Sequence, residues 1–287
     1  MRDFDENSIT DAVLQRLAGA EDPRLRQVAQ SLVKHLHAFV RDVEPSFEEW
    51  QTAISFLTRI GHMCDGKRQE FILLSDTLGV SMLVDAINHR MPEGATSTTV
   101  LGPFYVEGAP ELPLGAEVAH AMKGEPLHVS GRVMTAGGGP IAGAIVDIWH
   151  SDEDGFYDVQ RVDQADANLR ARFRTDNEGC FHFWTLTPTS CPVPDDGPVG
   201  ELLRATGPHP MRPAHVHFMI AAPGHETLVT HVFVAGDPYL DSDAVFGVKQ
   251  ELIAEFALHQ PGKGPDGREM AGTWRKLNYD FALKRNG

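Results

Sequence analysis

The chain has 287 residues, 42% of them hydrophobic, which is enough for one large domain or two unequal ones with a buried core. Its 25 Lys and Arg against 40 Asp and Glu leave a net charge of -15, which disfavours nucleic acid and anionic membranes as partners and favours a small-molecule substrate. With no signal pattern, no membrane-length apolar run and three scattered cysteines, we expect a cytoplasmic protein without a disulfide framework.

The first part of the chain is predicted to be helical. Apolar residues between positions 25 and 39 recur at three- and four-residue steps, which places a stripe along one helix face. A second helix is predicted to start at Ser46, because Ser46 and Glu49 occupy capping-box positions. The buried side of this helix is expected to continue through Trp50, Ile54 and Leu57.

A third helical stretch is predicted over residues 68–87. The segment 91–114 that follows is rich in Pro and Gly, which end helices. We therefore place a domain boundary near residue 95, with a helical domain at 1–95 and a second domain at 96–287.

Beyond this boundary the apolar pattern changes to the two-residue alternation of β-strands. The first strand is predicted at 127–133, followed by a turn at the Gly-Gly-Gly-Pro segment 137–140. Further strands are predicted at 144–150, 180–186, 215–221, 227–234 and 277–283. Several short strands separated by turns are typical of an antiparallel β-sandwich, so the expected fold class is mainly β with α, the sandwich following the helical domain.

The segment Arg-Pro-Ala-His-Val-His at 212–217 is the strongest local signal for chemistry. Side chains two apart on a strand point to one face, so His215 and His217 present two imidazoles at a spacing that suits one metal ion. Imidazole suits zinc, copper, iron and nickel alike, and such a pair also occurs without a metal. Arg212 lies directly before the pair.

A second signal lies at 146–158. A strand ending in Trp149 and His150 is followed by an acidic turn that contains Gly155, and then by Tyr157. This order delivers a phenol at a loop where a metal could meet it. A tyrosine beside an acidic turn is also a common form of surface packing.

Together these two segments resemble the signature of the intradiol ring-cleavage dioxygenase family, and most of all its hydroxyquinol branch. The resemblance extends to residues 100–105, 237–247 and 274–283. It implies a mononuclear non-haem Fe(III) centre bound by Tyr157, His215 and His217, with Arg212 as a catalytic residue that steadies developing negative charge. It also implies ring opening of an aromatic ortho-diol with O2, and a homodimer formed through the N-terminal helices.

This sequence departs from the family pattern at one ligand. The family has a second Tyr about two dozen residues before the first His of the pair, and the corresponding position here is Cys191. A thiolate could ligate iron and serve as a catalytic base, because a neighbouring cation lowers the pKa of a thiol. Alternatively, Cys191 is a small buried residue and the metal keeps three protein ligands.

The hydroxyquinol branch also implies a set of substrate-binding residues. Within it, Asp76 is expected to reach a third ring hydroxyl and to discriminate against catechol. Conversion of hydroxyquinol to maleylacetate is therefore favoured, and conversion of catechol to cis,cis-muconate comes next. The expected pocket residues are Leu73, Asp76, Val100, Leu101, Gly102, Pro103, Phe104, Val193, Pro194 and Val245.

Two alternatives are kept open. The first is a divergent family member, with Cys191 at the tyrosine position, that binds an aromatic ligand or a metal or has altered activity. The second is a zinc hydrolase, which would need a further carboxylate or His beside His215 and His217.

Overall fold

The structure of the chain is a computed structural model that describes residues 3–65, 68–119, 123–161, 168–207 and 209–287. The chain divides into two compact units, Met1–Arg59 and Ile60–Gly287. The domain boundary near residue 95 stays a prediction. Among the described residues, no helix is both long enough and apolar enough to cross a membrane.

Helices dominate the first third of the chain. The described residues contain six α-helices: α1 Ile9–Leu17, α2 Pro23–Val43, α3 Phe47–His62, α4 Glu70–Thr77, α5 Val80–Asn88 and α6 Pro198–Thr206. Helix α3 begins at the predicted capping box, in which the amide of Glu49 donates to Ser46 Oγ at 3.2 Å and the amide of Ser46 donates to a Glu49 carboxylate oxygen at 2.7 Å. Helices α1 and α6 were not predicted.

The apolar stripe of α2 is exposed in the single chain. Leu32 is 63% exposed, and Leu25 and Phe39 of the same stripe are 58% and 57% exposed. Trp50, Ile54 and Leu57, which were expected to be buried, are each more than 40% exposed, so that prediction is wrong for the isolated chain. In the described part of the first unit, the short helix α1 packs against α2, and one short helix cannot cover the stripes of both α2 and α3.

The predicted helix at 68–87 is two helices. Helix α4 ends at Thr77 and α5 begins at Val80, with Gly79 between them at a φ of 70°. This left-handed backbone is favourable for glycine and interrupts the helical hydrogen bonds. The break was not predicted, although the glycine that causes it is visible in the sequence.

The described residues of the rest of the chain form two five-stranded sheets and two short ladders. The strands are β1 Pro126–Thr135, β2 Ile145–Trp149, β3 Arg170–Arg174, β4 Cys180–Leu186, β5 Cys191–Pro192, β6 Met211–Arg212, β7 His215–Ala221, β8 Leu228–Val234, β9 Ile253–Ala254, β10 Ala257–His259, β11 Gly262–Lys263, β12 Glu269–Met270, β13 Trp274–Asn278 and β14 Phe281–Leu283. The first sheet has the order β10-β13-β1-β14, with β4 also paired to β1, and the second has the order β3-β2-β7-β8-β9.

The fold class predicted from the sequence is confirmed, with two refinements. Strand β1 runs parallel to β13 and β14, and β8 runs parallel to β9, so the sheets are mixed at these pairings. The strand predicted at 277–283 is the end of β13 followed by β14, because Tyr279 and Asp280 form a break between them.

The main core lies between the two sheets. Val129 and Phe181 of the first sheet and Val216 and Phe218 of the second are fully buried in one apolar cluster. Because neighbouring side chains on a strand point to opposite faces, Val216 and Phe218 on the core side direct His215 and His217 to the other face of the second sheet. The loops that follow the strands cover this face, and there the polar side chains converge.

Candidate metal centre

Three side chains converge on the outer face of the second sheet. Tyr157 Oη lies 2.9 Å from His217 Nε2 and 3.3 Å from His215 Nε2, and the two Nε2 atoms are 3.1 Å apart. All three residues are at most 3% exposed. The phenol and the two imidazoles predicted from the sequence are therefore brought together at one point.

The turn after β2 carries Tyr157 back over the sheet. One Asp152 carboxylate oxygen accepts the amides of Asp154 and Phe156 at 3.0 and 2.9 Å, and Gly155 adopts a φ of 86° that favours glycine. The ring of Phe104 stacks on Tyr157 with centroids 4.4 Å apart. Burial raises the pKa of the Tyr157 phenol well above its usual value, so a phenolate here requires a cation beside it.

The ring of His215 is fixed by its rear nitrogen. Nδ1 donates to the carbonyl oxygen of Pro213 at 2.7 Å, which leaves Nε2 of the neutral ring as a free lone pair. Burial, and then the charge of Arg212, lower the pKa of His215 to about 3. The imidazole is therefore neutral at physiological pH, as a metal ligand must be.

His217 is held between the two neighbouring strands. In the register of the sheet it lies opposite Trp149 on β2 and opposite His231 on β8. The Trp149 ring stacks on the His217 ring with centroids 4.6 Å apart, and His217 Nδ1 lies 2.7 Å from His231 Nε2. Packing and a hydrogen bond thus orient Nε2 of His217 toward Tyr157.

His231 supports the site from behind. It lies within 4.8 Å of His215 and His217, close enough to be considered a ligand. However, its Nε2 faces the rear nitrogen of His217, and its Nδ1 lies 2.8 Å from Thr99 Oγ1. Both nitrogens are engaged in hydrogen bonds, so we interpret His231 as the hydrogen-bond partner of a ligand.

The donor set fits a first-row metal ion. The three separations of 2.9, 3.1 and 3.3 Å between Tyr157 Oη and the two Nε2 atoms match the edge of about 3.0 Å that neighbouring ligands form when each bond is about 2.1 Å. One phenol and two neutral imidazoles can supply an anionic oxygen and two nitrogens. Within the described ranges, the group of ligand atoms gathered here contains no carboxylate, and both nitrogens of its third histidine, His231, are engaged in hydrogen bonds, which argues against the zinc hydrolase alternative.

Arg212 is both ion-paired and directed at the site. Its Nε donates to Asp243 Oδ1 at 3.0 Å, and its Nη1 lies 3.4 Å from His215 Nε2. Burial favours a higher pKa for Asp243, but the charge of Arg212 holds the pKa below its usual value, so the carboxylate is ionised. The amides of Val245 and Gly247 also donate to Asp243, at 3.3 and 2.9 Å.

Cys191 lies beside the phenol. It is 4% exposed and packs with Trp149 and Tyr157 in one apolar cluster. Burial raises the pKa of its thiol to about 11. Its backbone pairs with that of Arg212 through the short ladder β5–β6. The prediction that Cys191 binds the metal stays a prediction.

A small cavity adjoins these groups. The structure brings most of the residues predicted to bind substrate to its wall, together with Tyr157, Cys191, Arg212 and His217. Leu101 is the exception: it is 40% exposed and does not line the cavity. The predicted residues on the wall are Leu73, Asp76, Val100, Gly102, Pro103, Phe104, Val193, Pro194 and Val245.

The cavity has an inner and an outer part. The inner part, of about 20 Å³, has room for about one water molecule, and it adjoins an outer cavity of about 520 Å³. Leu73, Phe104 and Val193 line both parts. A ring that enters the inner part therefore has to displace some of these side chains.

Asp76 is a buried carboxyl group in this mainly apolar wall. It lies on α4 and is 2% exposed. Burial raises its pKa, while a hydrogen bond from Ser81 acts in the opposite direction. A carboxyl group buried beside a cavity is able to bind a hydroxyl group of a ligand.

Sequence reasoning assigned no role to Trp149, Thr99 or Asp243. Trp149 and Asp243 both belong to segments noted for the family resemblance, but only the sheet register and the loop fold link them to His217 and Arg212. Thr99 lies far from His231 in the sequence, and no sequence pattern connects the two residues.

Comparison with known proteins agrees with this geometry. A family model described as "Dioxygenase" matches residues 100–285, more than half of the chain. A second, described as "Catechol dioxygenase N terminus", matches residues 22–96. The two family models together match most of the chain, from residue 22 to residue 285.

Characterised relatives and solved structures point the same way. The chain is 53% identical to 6-chlorohydroxyquinol 1,2-dioxygenase of Cupriavidus pinatubonensis, covering 99% of both chains, and 48% identical to hydroxyquinol 1,2-dioxygenase of a Rhizobium species, covering 98% and 96%. The crystal structure of hydroxyquinol 1,2-dioxygenase from Pseudomonas putida matches with a TM-score of 0.90 and 49% identity, covering 98% of this chain and 99% of that one. Catechol 1,2-dioxygenase from Pseudomonas arvilla matches with a TM-score of 0.84 and 30% identity, covering 96% and 91%.

The predicted resemblance is thus confirmed over the full length of the chain, and the alternative of a protein without oxygenase chemistry is not favoured. The chain belongs to the intradiol ring-cleavage dioxygenase family.

Proposed function

We propose that the protein is a non-haem iron dioxygenase that opens the ring of hydroxyquinol between two adjacent hydroxyl-bearing carbons, with catechol as a second substrate. Both atoms of O2 enter the product, so hydroxyquinol and O2 together give maleylacetate without any further reactant. The observation that carries the proposal is the convergence of Tyr157 Oη with two imidazole nitrogens within 3.3 Å, in a chain 53% identical to a 6-chlorohydroxyquinol 1,2-dioxygenase.

Tyr157, His215 and His217 would hold the metal. A phenolate oxygen with two neutral nitrogens suits ferric iron. A ferric ion held there would favour ionisation of the diol and make its ring reactive toward O2. The rear nitrogens of both histidines are hydrogen-bonded, to Pro213 O and to His231, which keeps the two rings in place. Stacking of Phe104 on the phenol and of Trp149 on His217 keeps water away from the ligand atoms.

Arg212 and Asp76 would act on the substrate. The guanidinium of Arg212 is fixed by Asp243 with Nη1 toward the ligand atoms, where it would stabilise negative charge that develops on the substrate. Asp76 lines the same cavity and is the carboxyl group proposed to bind the third hydroxyl of hydroxyquinol, which catechol lacks.

The assembly we propose is a homodimer in the cytoplasm. In this dimer the helical domain at 1–95 forms the contact between the two chains, and the domain at 96–287 carries out catalysis. The exposed stripe of α2, with Leu32 at 63% and Leu25 at 58%, is the surface that a second copy would cover. Leu32→Glu is expected to convert a dimer to a monomer in sedimentation, whereas Ser31→Glu beside it should leave the dimer intact. A wild-type monomer at micromolar concentration would refute this assembly.

The function is tested with iron-loaded protein. We expect iron bound in equimolar amount, a yellow to red colour from tyrosinate-to-iron charge transfer, and consumption of O2 with hydroxyquinol faster than with catechol. Tyr157→Phe is the matched variant, because it keeps the ring stacked on Phe104 but removes the ligand oxygen and with it the colour. Protein that binds no iron under reconstitution and leaves hydroxyquinol intact would contradict the proposal.

A further inference from the structure

We propose that this enzyme holds its iron with only three side chains, Tyr157, His215 and His217, and that Cys191 lies beside the metal without binding it. The inference rests on the proposed function, since it concerns the iron of that function. It resolves the two alternatives for Cys191 that the sequence alone leaves open.

The distances between side-chain ligand atoms leave Cys191 outside the metal-binding group. Two ligands of one ion lie at most about 4.4 Å apart when the bonds are about 2.1 Å to nitrogen and 2.3 Å to sulfur. Tyr157 Oη and the two Nε2 atoms meet this condition, with separations up to 3.3 Å. Among the His, Cys, Asp and Glu side chains that the structure describes, the group whose ligand atoms lie within 4.8 Å of one another contains His215, His217 and His231, but not Cys191.

The side chain at position 191 is also shorter than that of a tyrosine ligand. A tyrosine at position 191 extends a full ring beyond its Cβ, whereas a cysteine extends by one sulfur atom. The thiol has a single rotatable bond, so three staggered positions are available to the sulfur. With Cys191 in place of the tyrosine expected from the family pattern, the side chain is therefore shorter and its end lies farther from the position of the metal.

The backbone at Cys191 is not free to bring the sulfur closer to the metal-binding group. Cys191 pairs with Arg212 through β5–β6, and the amide of Val193 donates to Pro210 O at 2.8 Å. On the other side, a Cβ built on Gly155 would lie 3.1 Å from Cys191 Cβ, so the turn that carries Tyr157 already packs tightly against Cys191. A movement of Cys191 would disturb both the Arg212 strand and the Tyr157 turn.

A consequence for the metal follows from charge. With one phenolate and two neutral imidazoles, the iron carries one fewer negative protein ligand than in a site with two tyrosines. Such a centre is expected to bind iron more weakly and to show a single type of tyrosinate charge transfer. Both properties can be measured without following turnover.

X-ray absorption at the iron edge of the loaded wild-type protein tests the inference directly. We expect scattering from oxygen and nitrogen only, whereas an iron–sulfur distance near about 2.3 Å would overturn the inference while leaving the proposed function intact. A protein that takes up no iron would overturn the proposed function, and this inference with it.

Variants at position 191 provide the second readout. Cys191→Ser is expected to keep the iron content and the visible spectrum, as is the control Cys180→Ser in β4. Cys191→Tyr, which supplies a second phenol, is expected to bind iron at least about tenfold more tightly in competition with a chelator and to absorb more strongly. Loss of iron or a changed charge-transfer band in Cys191→Ser would mean that the sulfur is a ligand.

Discussion

The imidazoles of His217 and His231 face each other across strands β7 and β8, with Nδ1 of the first 2.7 Å from Nε2 of the second, and both rings are at most 2% exposed. His231 Nδ1 in turn lies 2.8 Å from Thr99 Oγ1. If Nε2 of His217 binds a metal, its Nδ1 carries the proton and donates to His231, whose own proton then faces Thr99. The chain of three residues fixes one tautomer of the ligand.

We therefore expect His231→Leu to lower iron affinity by about 10- to 100-fold, because His217 loses the partner of its rear nitrogen. His231→Gln should recover much of this affinity, since the amide oxygen can accept the same hydrogen bond. Competition with a chelator measures the iron affinity of both variants, and His182→Leu in the other sheet is the control. Equal affinity in wild type and His231→Leu would rule out this role.

Asp243 is expected to act through Arg212. Asp243→Asn removes the charge that holds the guanidinium and should lower kcat by about 10- to 100-fold, while Arg212→Lys should lower it by about 100- to 1,000-fold. The double variant should be little slower than Arg212→Lys alone, because the carboxylate is expected to act on the substrate mainly through the guanidinium.

The control for Asp243 is Asp147→Asn, which disrupts the largely buried ion pair between Asp147 on β2 and Arg172 on β3. Iron content should stay unchanged in all of these variants. The lower kcat then reflects slower turnover and not loss of the metal. Additive losses in the double variant would contradict the proposed dependence.

Asp76 is expected to set the preference for hydroxyquinol. Asp76→Ala removes a hydrogen-bonding carboxyl group from the cavity wall and should lower the ratio of kcat/KM for hydroxyquinol to that for catechol by about tenfold or more. Val100→Ala, in the same wall, should affect both substrates alike. An unchanged ratio in Asp76→Ala would exclude the assignment.

His128 on β1 predicts a pH dependence of stability outside the catalytic site. It is 3% exposed, and its Nδ1 has no hydrogen-bond partner in the described part of the chain. Burial, followed by the charge of His182, lowers its pKa to about 4. The unfolded chain, with an ordinary histidine pKa of about 6.5, binds this proton first, so stability falls as pH decreases from about 6.5 to 4.

The expected loss from His128 is at most about 3 kcal/mol over this interval. Replacement by leucine should remove that part of the dependence, so the difference in unfolding free energy between wild type and His128→Leu should change between pH 7 and pH 4. Urea unfolding of metal-free protein at several pH values measures it. A constant difference would show that His128 does not contribute.

The elements that the sequence predicted well are those in which local chemistry decides the structure. The capping box of Ser46 and Glu49, the alternation in β1 and the pair His215 and His217 depend on neighbours a few residues apart. The predictions failed where the structure depends on contacts between residues far apart in the sequence, or where a helix face has no packing partner. Thr99 meets His231 because the loop after α5 lies against β8, where the amide of Thr99 donates to Val229 O at 2.9 Å, and Trp50 was expected to be buried although nothing in the described part of the single chain covers it.

Strand β7 is the middle strand of its sheet, with β2 on one side and β8 on the other. Trp149 and His231, which orient His217, arrive from those two neighbours, and Tyr157 follows β2 after a short turn. No smaller fragment of the sheet could assemble these donors, so coordination should require three correctly registered strands. Loading with metal should therefore raise the temperature at which the whole sheet melts, in proportion to the logarithm of the free ion concentration once the site is saturated.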